Sequence, residues 1–537
     1  MKGHIKMQRR LFILLLLMLA VVQQTAARRQ QTDYAGDERC FITQGNAGAV
    51  SCGHPLAAAA ALQILRAGGN AVDAAIAAGF MLGVVDFSNS GIGGDGFALV
   101  YLPGDRVEAW DASVKRPRLA GRHKIVNHIG LPTVPDLLLR LRRQYGSQPL
   151  ATLVKPAISA AADGFKISAY LEKTIEKTLP KIEDPAAINF LAPQGYPLRA
   201  GQILRQPLLA GTLAEIASDD GRSFYRGEAA KTLIANMQKH GSEYRISDLA
   251  LVRTLQVKPV RRDWQNYSLY GNPPPACSIA SIKLAEDLLN SRIDLHEQRP
   301  EDILATARAG RRILQARYEN MAGCLADPYR FIEFADSIVV NRSGDVVENG
   351  NTTHLCVADK NGMLVSMTLT LGSHFGTGEF SPAGFFYNNG LRNFTDAVSD
   401  YPDEYPLSAG PVSTKSPIIV TRNGRAVLAI GGAGSERIVF NTGLALARFL
   451  RRPQQTDHLI SSPRYFLDHH QKLIVEWQPD TSLAKTLEQW FPETTVKPGC
   501  DDYFGLLSAI IAEGTQFKAL ADPRRDGSCA AYDLVSP

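Results

Sequence analysis

A layered α/β or α+β protein is what this sequence predicts, on three observations. Alanine-rich runs with helical spacing fill the first part of the chain. From Thr352 onward, short β-rich runs separated by turn residues dominate. At 537 residues the chain is long enough for two or three domains, or for one large layered one. Composition is that of a soluble globular protein, 45% hydrophobic and 21% charged. The net charge of +5 comes from 58 basic residues scattered along the chain. That spread argues against a nucleic-acid platform and leaves only weak attraction of anions.

The first 27 residues read as a secretory signal peptide. Lys2, Lys6, Arg9 and Arg10 precede an apolar run from Leu11 to Val22, and Thr25, Ala26 and Ala27 offer small residues for cleavage. The run is too short to span a bilayer comfortably. The mature chain is expected to begin near Arg28 in an exported compartment, periplasmic or secreted, with no stable membrane insertion after signal removal. An uncleaved membrane anchor is the alternative.

Leu56 to Ala67 and Ala71 to Leu82 are expected helices, parted by Gly68-Gly69 and capped at Asn70. A glycine-rich stretch, Gly91-Ile92-Gly93-Gly94-Asp95-Gly96, leads into a strand from Phe97 to Leu102. It matches the G-x-G-x-x-G pattern, with Asp111 downstream as a ribose-binding acid. The context is wrong for a dinucleotide, because that loop must follow a strand and open a helix. Close backbone packing explains the glycines better. Pro132 to Gly146, Leu150 to Gly164 and Leu284 to Arg317 (interrupted near Pro300) read as helices, and Pro273-Pro274-Pro275 as a stiff extended connector. Later strands are expected at 355–358, 363–371, 418–421 and 426–430. The turn Gly431-Gly432-Ala433-Gly434 leads to a helix from Ile438 to Arg451.

The stretch carrying the most chemistry is Asn351-Thr352-Thr353-His354, continuing through Asn361-Gly362 to Leu371. Asn-Gly is a strong hairpin signal, since both residues tolerate positive φ. Ser366, Thr368 and Thr370 recur at period two and share a face. Folding about the turn sets Thr352 opposite residues 369 to 371. A threonine there becomes a nucleophile only if the Asn351–Thr352 bond is cut, freeing an amine that serves as base for its own hydroxyl. An ordinary threonine-rich strand is the plainer reading of this stretch alone. A Cys356–His354 pair is a third reading, disfavoured because i and i+2 on a strand stand about 6–7 Å apart by strand rise. Of the seven cysteines, proximity alone pairs Cys40 with Cys52 and Cys500 with Cys529. No Cys/His spacing points to a metal, and no cofactor is expected.

In order along the chain, Gly68-Gly69-Asn70-Ala71-Val72-Asp73-Ala74-Ala75, Ser90-Gly91-Ile92-Gly93-Gly94-Asp95-Gly96-Phe97, Thr352-Thr353-His354, Phe375-Gly376-Thr377-Gly378, Asn388-Asn389 and Asp522-Pro523-Arg524-Arg525-Asp526-Gly527 resemble the gamma-glutamyltranspeptidase family. The resemblance implies an α+β fold, the four-layer αββα sandwich of N-terminal nucleophile hydrolases. It implies a precursor that cuts itself between Asn351 and Thr352 into a large subunit, residues 28–351, and a small one, 352–537. It further implies Thr352 as nucleophile, Thr370 as its supporting hydroxyl, and Gly434 and Ser435 as oxyanion-hole donors. Ser435 departs from glycine, but its backbone N–H survives the change if the turn does. Ser413 and Thr414 match the pair that holds a substrate carboxylate.

The substrate pocket departs from the family pattern. Ser113 stands where the family's carboxylate-binding arginine is expected, with Lys115 and Arg116 near. Asn393 replaces the acid that meets an α-amino group, Gly390 a glutamine and Gly372 an asparagine. Asn393 is similar to relatives that deacylate glutaryl-type substrates, which lack that amine. The expectation is an exported, self-cleaving amidase or acyltransferase acting on a small-molecule amide or peptide, with no nucleic-acid partner; its acyl group is either gamma-glutamyl or, as the altered pocket suggests, a glutaryl-type or other specialised one. A non-catalytic binding protein on the same scaffold is the rival.

Overall fold

The computed structural model describes residues 39–115, 128–295, 299–338, 351–395, 409–477, 479, 481–497 and 499–534. The expected signal segment and Arg116 lie outside them. No helix among the described residues is long and apolar enough to cross a membrane.

Two seven-stranded antiparallel sheets form the centre. The strands run, in chain order, β1 (Ile42–Gly45), β2 (Gly48–Cys52), β3 (Asp95–Leu102), β4 (Arg106–Ala112), β5 (Leu255–Val257), β6 (Val260–Trp264) and β7 (Tyr267–Gly271). They continue as β8 (Asn351–Asp359), β9 (Leu364–Gly372), β10 (Ile418–Arg422), β11 (Arg425–Ala433), β12 (Leu506–Glu513), β13 (Gln516–Ala521) and β14 (Ser528–Tyr532). One sheet has the order β14-β2-β8-β9-β3-β4-β5 and the other β1-β13-β12-β11-β10-β7-β6. Both interleave strands from before and after Asn351. A cut there would leave both sheets built from the two pieces.

The sheets pack face to face through Leu99, Cys356 and Leu364 of one and Ile419, Ala429 and Ile510 of the other. Helices Pro55–Arg66, Ala71–Val85, Val134–Tyr145 and Leu150–Asp163 cover the outer face of the first sheet. Helices Ser278–Asn290, Pro300–Asn320 and Arg437–Arg451 cover the second. The result is the expected αββα sandwich. Each helix starts where its chemistry allows. Asn70 Oδ1 accepts a hydrogen bond from Asp73 N while the Asp73 carboxylate accepts one from Asn70 N, the reciprocal cap that starts the second helix. That helix is buried along its whole length, which its Ala and Gly residues permit by letting neighbours approach closely. Its first N–H, at Ala71, also bonds the Asp359 carboxylate at 2.8 Å, tying the helix to the end of β8.

Alternation along β8 and β9 follows the expected period. Leu355, Val357, Val365, Met367 and Leu369 pack toward the helices. Cys356, Ala358 and Leu364 join the core between the sheets, and Thr352, His354, Ser366, Thr368 and Thr370 share that face by parity. At the turn only Gly362 takes a left-handed φ, of 83°. Asp359 does the rest, its carboxylate accepting from Asn361 N and Met363 N.

Two expectations need correction. The first part of the chain is not simply helix-rich, since β1, β2, β4, β5, β6 and β7 lie there unforeseen. Those strands carry charged or small residues that tertiary pairing overrides. The three prolines form a turn closed by Ala276 N on Pro273 O at 3.1 Å, not an extended connector. The helical stretch expected from Leu284 to Arg317 is interrupted as expected, Ser278–Asn290 giving way to a second helix that Pro300 opens, where its missing N–H has no cost.

Candidate active site

The ladder between β8 and β9 pairs Thr352 with Thr370, and a register irregularity falls between Asn351 and Thr352. The bond expected to break therefore sits at a bulge, where the backbone leaves regular pairing. Thr352 Oγ1 donates to Thr370 Oγ1 at 3.3 Å. Thr370 Oγ1 in turn donates to the carbonyl oxygen of Asn351, and Gly372 N donates to Thr370 Oγ1 at 2.8 Å. Two hydroxyls thus run from the nucleophile to the carbonyl it would attack. Thr352 is 4% exposed, so this relay operates largely out of water, where hydrogen bonds are stronger.

Gly94 lies directly beneath this strand, where a Cβ would come within 2.3 Å of Thr370 O, and a Cβ at Gly93 would come within 2.2 Å of Phe386 O. The glycine-rich stretch is thus a close-packing device and not a nucleotide loop.

The turn expected to supply oxyanion donors is left-handed at both residues, the serine included. Gly434 has φ 122° and Ser435 φ 59°. A side chain at Gly434 would meet Gly505 Cα at 2.8 Å, and a serine held left-handed costs about 1–2 kcal/mol. Strain retained at such a point is characteristic of functional turns. The helix Arg437–Arg451 begins immediately afterwards and adds its positive dipole end to the turn. A Cβ at Gly434 would also lie 3.8 Å from an Arg525 nitrogen, and Arg525 bonds Asn351 and Thr352, so this turn lies near the Asn351–Thr352 bond.

Arg525 was visible in the sequence only as part of a terminal signature. Its Nη2 donates to Asn351 Oδ1 at 2.7 Å and its Nη1 to Thr352 O at 3.3 Å. The guanidinium lies 5.6 Å from the Tyr170 ring, and Tyr170 OH donates to Asn89 Oδ1. Asn89 in turn donates to the buried Asp86 carboxylate at 2.6 Å. Burial pushes Asp86 up to about 7, against hydrogen bonds from Asn89 and Thr353 and the charge of Arg525.

The expected pocket positions fall into a second group. Ser113, 1% exposed, accepts from Lys115 Nζ at 3.0 Å, and Lys115 also lies 3.7 Å from Asp111. Gly410 lies against Ser113, leaving only 2.2 Å from the position of a Cβ to Ser113 Oγ. Asn393 Nδ2 donates to Val412 O at 3.2 Å. Ser413 Oγ accepts from Lys415 N, and Thr414 O accepts from Ser416 Oγ. Gly390 packs on Val114 and the Asn388 amide. Gly372 belongs to the nucleophile's own neighbourhood. Its φ is 90°, and a Cβ there would come within 1.9 Å of Asn389 Oδ1. The Asn389 amide, held by Ser373 N and Ser373 Oγ, occupies the place the missing asparagine would fill.

Asp95 joins the two groups. It stands opposite Thr370 in the β9–β3 register. Its carboxylate accepts from Lys415 Nζ at 2.7 Å and from Val114 N at 3.4 Å. The Asp95–Lys415 pair is buried, so removing either partner would strand a charge. Neither residue was singled out beforehand; a lysine inside Ser413-Thr414-Lys415-Ser416, facing an acid in the glycine-rich stretch, was the available signal.

The distance argument against a Cys356–His354 pair is overturned, although the conclusion stands. Cys356 Sγ lies 3.3 Å from His354 Nε2. Strand rise separates Cα atoms, but a long imidazole leaning along the strand closes the gap. Burial drives the His354 imidazole down to about 3 and pushes the Cys356 thiol far up. Both therefore stay neutral, with His354 Nδ1 on Thr368 Oγ1 at 2.8 Å, and no thiolate forms. The expected cysteine pairs are not made either. All seven cysteines are thiols, and the sulfur facing Cys40 belongs to Cys529, 3.8 Å away.

A family model described as Gamma-glutamyltranspeptidase matches residues 57–532. The capsule biosynthesis protein CapD proenzyme of Bacillus anthracis is 30% identical over 76% of this chain and 75% of its own length. The glutathione hydrolase proenzyme of Escherichia coli is 28% identical over 81% of this chain and 82% of its own. Among solved structures, cephalosporin acylase from Bacillus halodurans superposes with a TM-score of 0.78 at 24% identity, over 93% of this chain and 98% of that one. At that identity the structural likeness speaks for the fold.

Proposed function

The chain belongs to the gamma-glutamyltranspeptidase family of amide hydrolases and acyl transferases, and from that premise we propose that it is an exported enzyme that activates itself by cleavage between Asn351 and Thr352. The observation that carries this reading is the relay from Thr352 through Thr370 to the Asn351 carbonyl. Thr352 Oγ1 attacks the Asn351 carbonyl carbon and passes its proton to Thr370. Thr370 gives its own proton to the oxygen that is gaining charge. Collapse moves that proton to the departing Thr352 nitrogen and leaves an ester and a free Thr352 amine, and water then hydrolyses the ester, freeing the Asn351 carboxylate and the Thr352 hydroxyl. Arg525 holds the Asn351 side chain and the Thr352 carbonyl so that this carbonyl stays in line.

In the cut enzyme the Thr352 amine takes the proton of its own hydroxyl, Oγ1 attacks a substrate amide, and the N–H groups of Gly434 and Ser435 receive the oxyanion. The amine then protonates the leaving nitrogen, and water or a second amine collects the acyl group from Thr352. Residues 28–351 and 352–537 are the two subunits. The basic head and apolar run before Arg28 support export.

The acyl group is a glutaryl-type chain, with a terminal carboxylate and no amine beside it. Lys115, drawn onto Ser113, keeps one cation for a carboxylate in place of a bidentate arginine. Asn393 offers no charge to an ammonium. Denaturing electrophoresis over time tests the self-cleavage: two chains are expected, and one persistent intact chain would defeat it. Rates on glutaryl-p-nitroanilide beside gamma-glutamyl-p-nitroanilide test the acyl preference, with the first expected to be faster. Binding of both with turnover of neither would favour the non-catalytic rival.

A further inference from the structure

We propose that Cys40 and Cys529 are a disulfide-forming pair, which in the cut protein locks the large subunit to the small one. The consequence for two subunits rests on the cleavage reading above; the bond itself does not.

The two cysteines are brought together by backbone and not by chance approach of flexible tips. Cys529 lies in β14, at the edge of one sheet, and its N–H donates to Cys40 O at 2.8 Å. Cys40 N donates to Ser528 Oγ at 3.3 Å. Cys40 leads into β1, the edge of the other sheet, where Ala521 N on Phe41 O continues the contact. With both main chains held, the sulfurs stand 3.8 Å apart, and bond formation needs them to close to about 2.05 Å. No other cysteine pair has this arrangement among the described residues. Cys52 Sγ bonds His54 O, Cys277 faces Arg317, and Cys500 is exposed.

Access sets the order of events. Cys40 is half-buried and Cys529 is 3% exposed, so an incoming oxidant meets Cys40 first. The oxidant is a small disulfide such as oxidised glutathione, or a thiol–disulfide oxidoreductase. The Cys40 thiolate attacks one of its sulfurs and releases one thiol. Burial and the neighbouring Cys40 hold the Cys529 thiol well above its usual range, so it waits for the mixed disulfide. It then gives its proton to the departing second thiolate and bonds Cys40 Sγ. Two electrons and two protons leave the protein, and the oxidant becomes two thiols. The bridge spans 489 positions and crosses the cut, so after cleavage each subunit holds one of its sulfurs. Dilution then cannot part them.

Treatment of the full chain with oxidised glutathione, alkylation of the remaining thiols, and electrophoresis with and without dithiothreitol test the proposal. The cut protein is expected to run as one species near full mass without reductant and as two with it. Cys40→Ser and Cys529→Ser are expected to give two chains in both lanes, and Cys500→Ser to behave as wild type. Peptide mapping should find the Cys40 and Cys529 peptides joined, in the uncut Thr352→Ala chain as well. Alkylation of all seven cysteines after oxidation, or a joined peptide containing Cys52 or Cys500 instead, overturns the proposal. A joined peptide in a wild-type chain that never divides under reduction upholds the bond and defeats the cleavage reading.

Discussion

The Thr352 hairpin and the group of residues around Ser113, the proposed acyl pocket, are built by different means. In the hairpin every functional atom is delivered by a strand ladder. Thr352 faces Thr370 because the register pairs them, and Asp95 faces Thr370 for the same reason. In the second group, Ser113 and Ser413 come from loops and Asn393 from a single helical turn, Arg392–Thr395, each tied to neighbouring backbone or side chains by bonds such as Ser113 N on Asp111, Asn393 Nδ2 on Val412 O and Ser413 N on Pro275 O. A ladder cannot shift one residue without turning every side chain to the other face, whereas a loop residue changes with little consequence elsewhere. On the proposed reading, the ladder would hold the Thr352–Thr370 pairing fixed while the residues around Ser113 could change independently of it.

Breaking the hairpin should therefore abolish chemistry, and altering the pocket should only redirect it. Thr352→Ala is expected to leave one intact chain on denaturing gels and to lower amide turnover by at least about 10⁴-fold. Thr370→Val, which keeps shape but removes the hydroxyl, should slow self-cleavage about 10²- to 10³-fold in a time course, with Thr370→Ser largely restoring it. Lys115→Ala should cut kcat/KM for glutaryl-p-nitroanilide roughly 10- to 100-fold while the chain still divides at the normal rate, as loss of a charge-assisted contact worth about 1.5–3 kcal/mol implies. Asn393→Asp should raise the gamma-glutamyl to glutaryl rate ratio about tenfold or less, because the restored charge lies at an exposed position.

The smallest effect concerns acid. His354 lies on the hairpin at about 3, held there by burial, against an ordinary value near 6.5 in the unfolded chain. The unfolded state then binds more protons between those values, so stability is full above about 6.5 and falls as pH drops toward 3. Thermal unfolding of the wild type should show that slope. His354→Gln should flatten part of it, whatever its own starting stability.

Much of the catalytic centre was legible because alternation and turn chemistry act over a few residues. The spacing of Ser366, Thr368 and Thr370 with Asn361-Gly362 between the arms was enough to set Thr352 opposite the end of β9. Arg525 and Lys415 were not legible as site residues, since their partners Asn351 and Asp95 lie 174 and 320 positions away. The distance argument for Cys356 and His354 failed for another reason: Cα spacing says little about where side chains of unequal length end.

By itself the sequence determined the hairpin that pairs Thr352 with the end of β9, the first helices and the Asn70 cap, because each rests on interactions between near neighbours. Only the tertiary structure decided that both sheets would interleave strands from either side of Asn351, that Asn389 would stand beside Gly372, and that Cys529 would face Cys40. Those outcomes depend on burying apolar faces between strands far apart in the chain. That driving force has no direction of its own, so which distant polar groups meet is set by the packing of the whole sandwich.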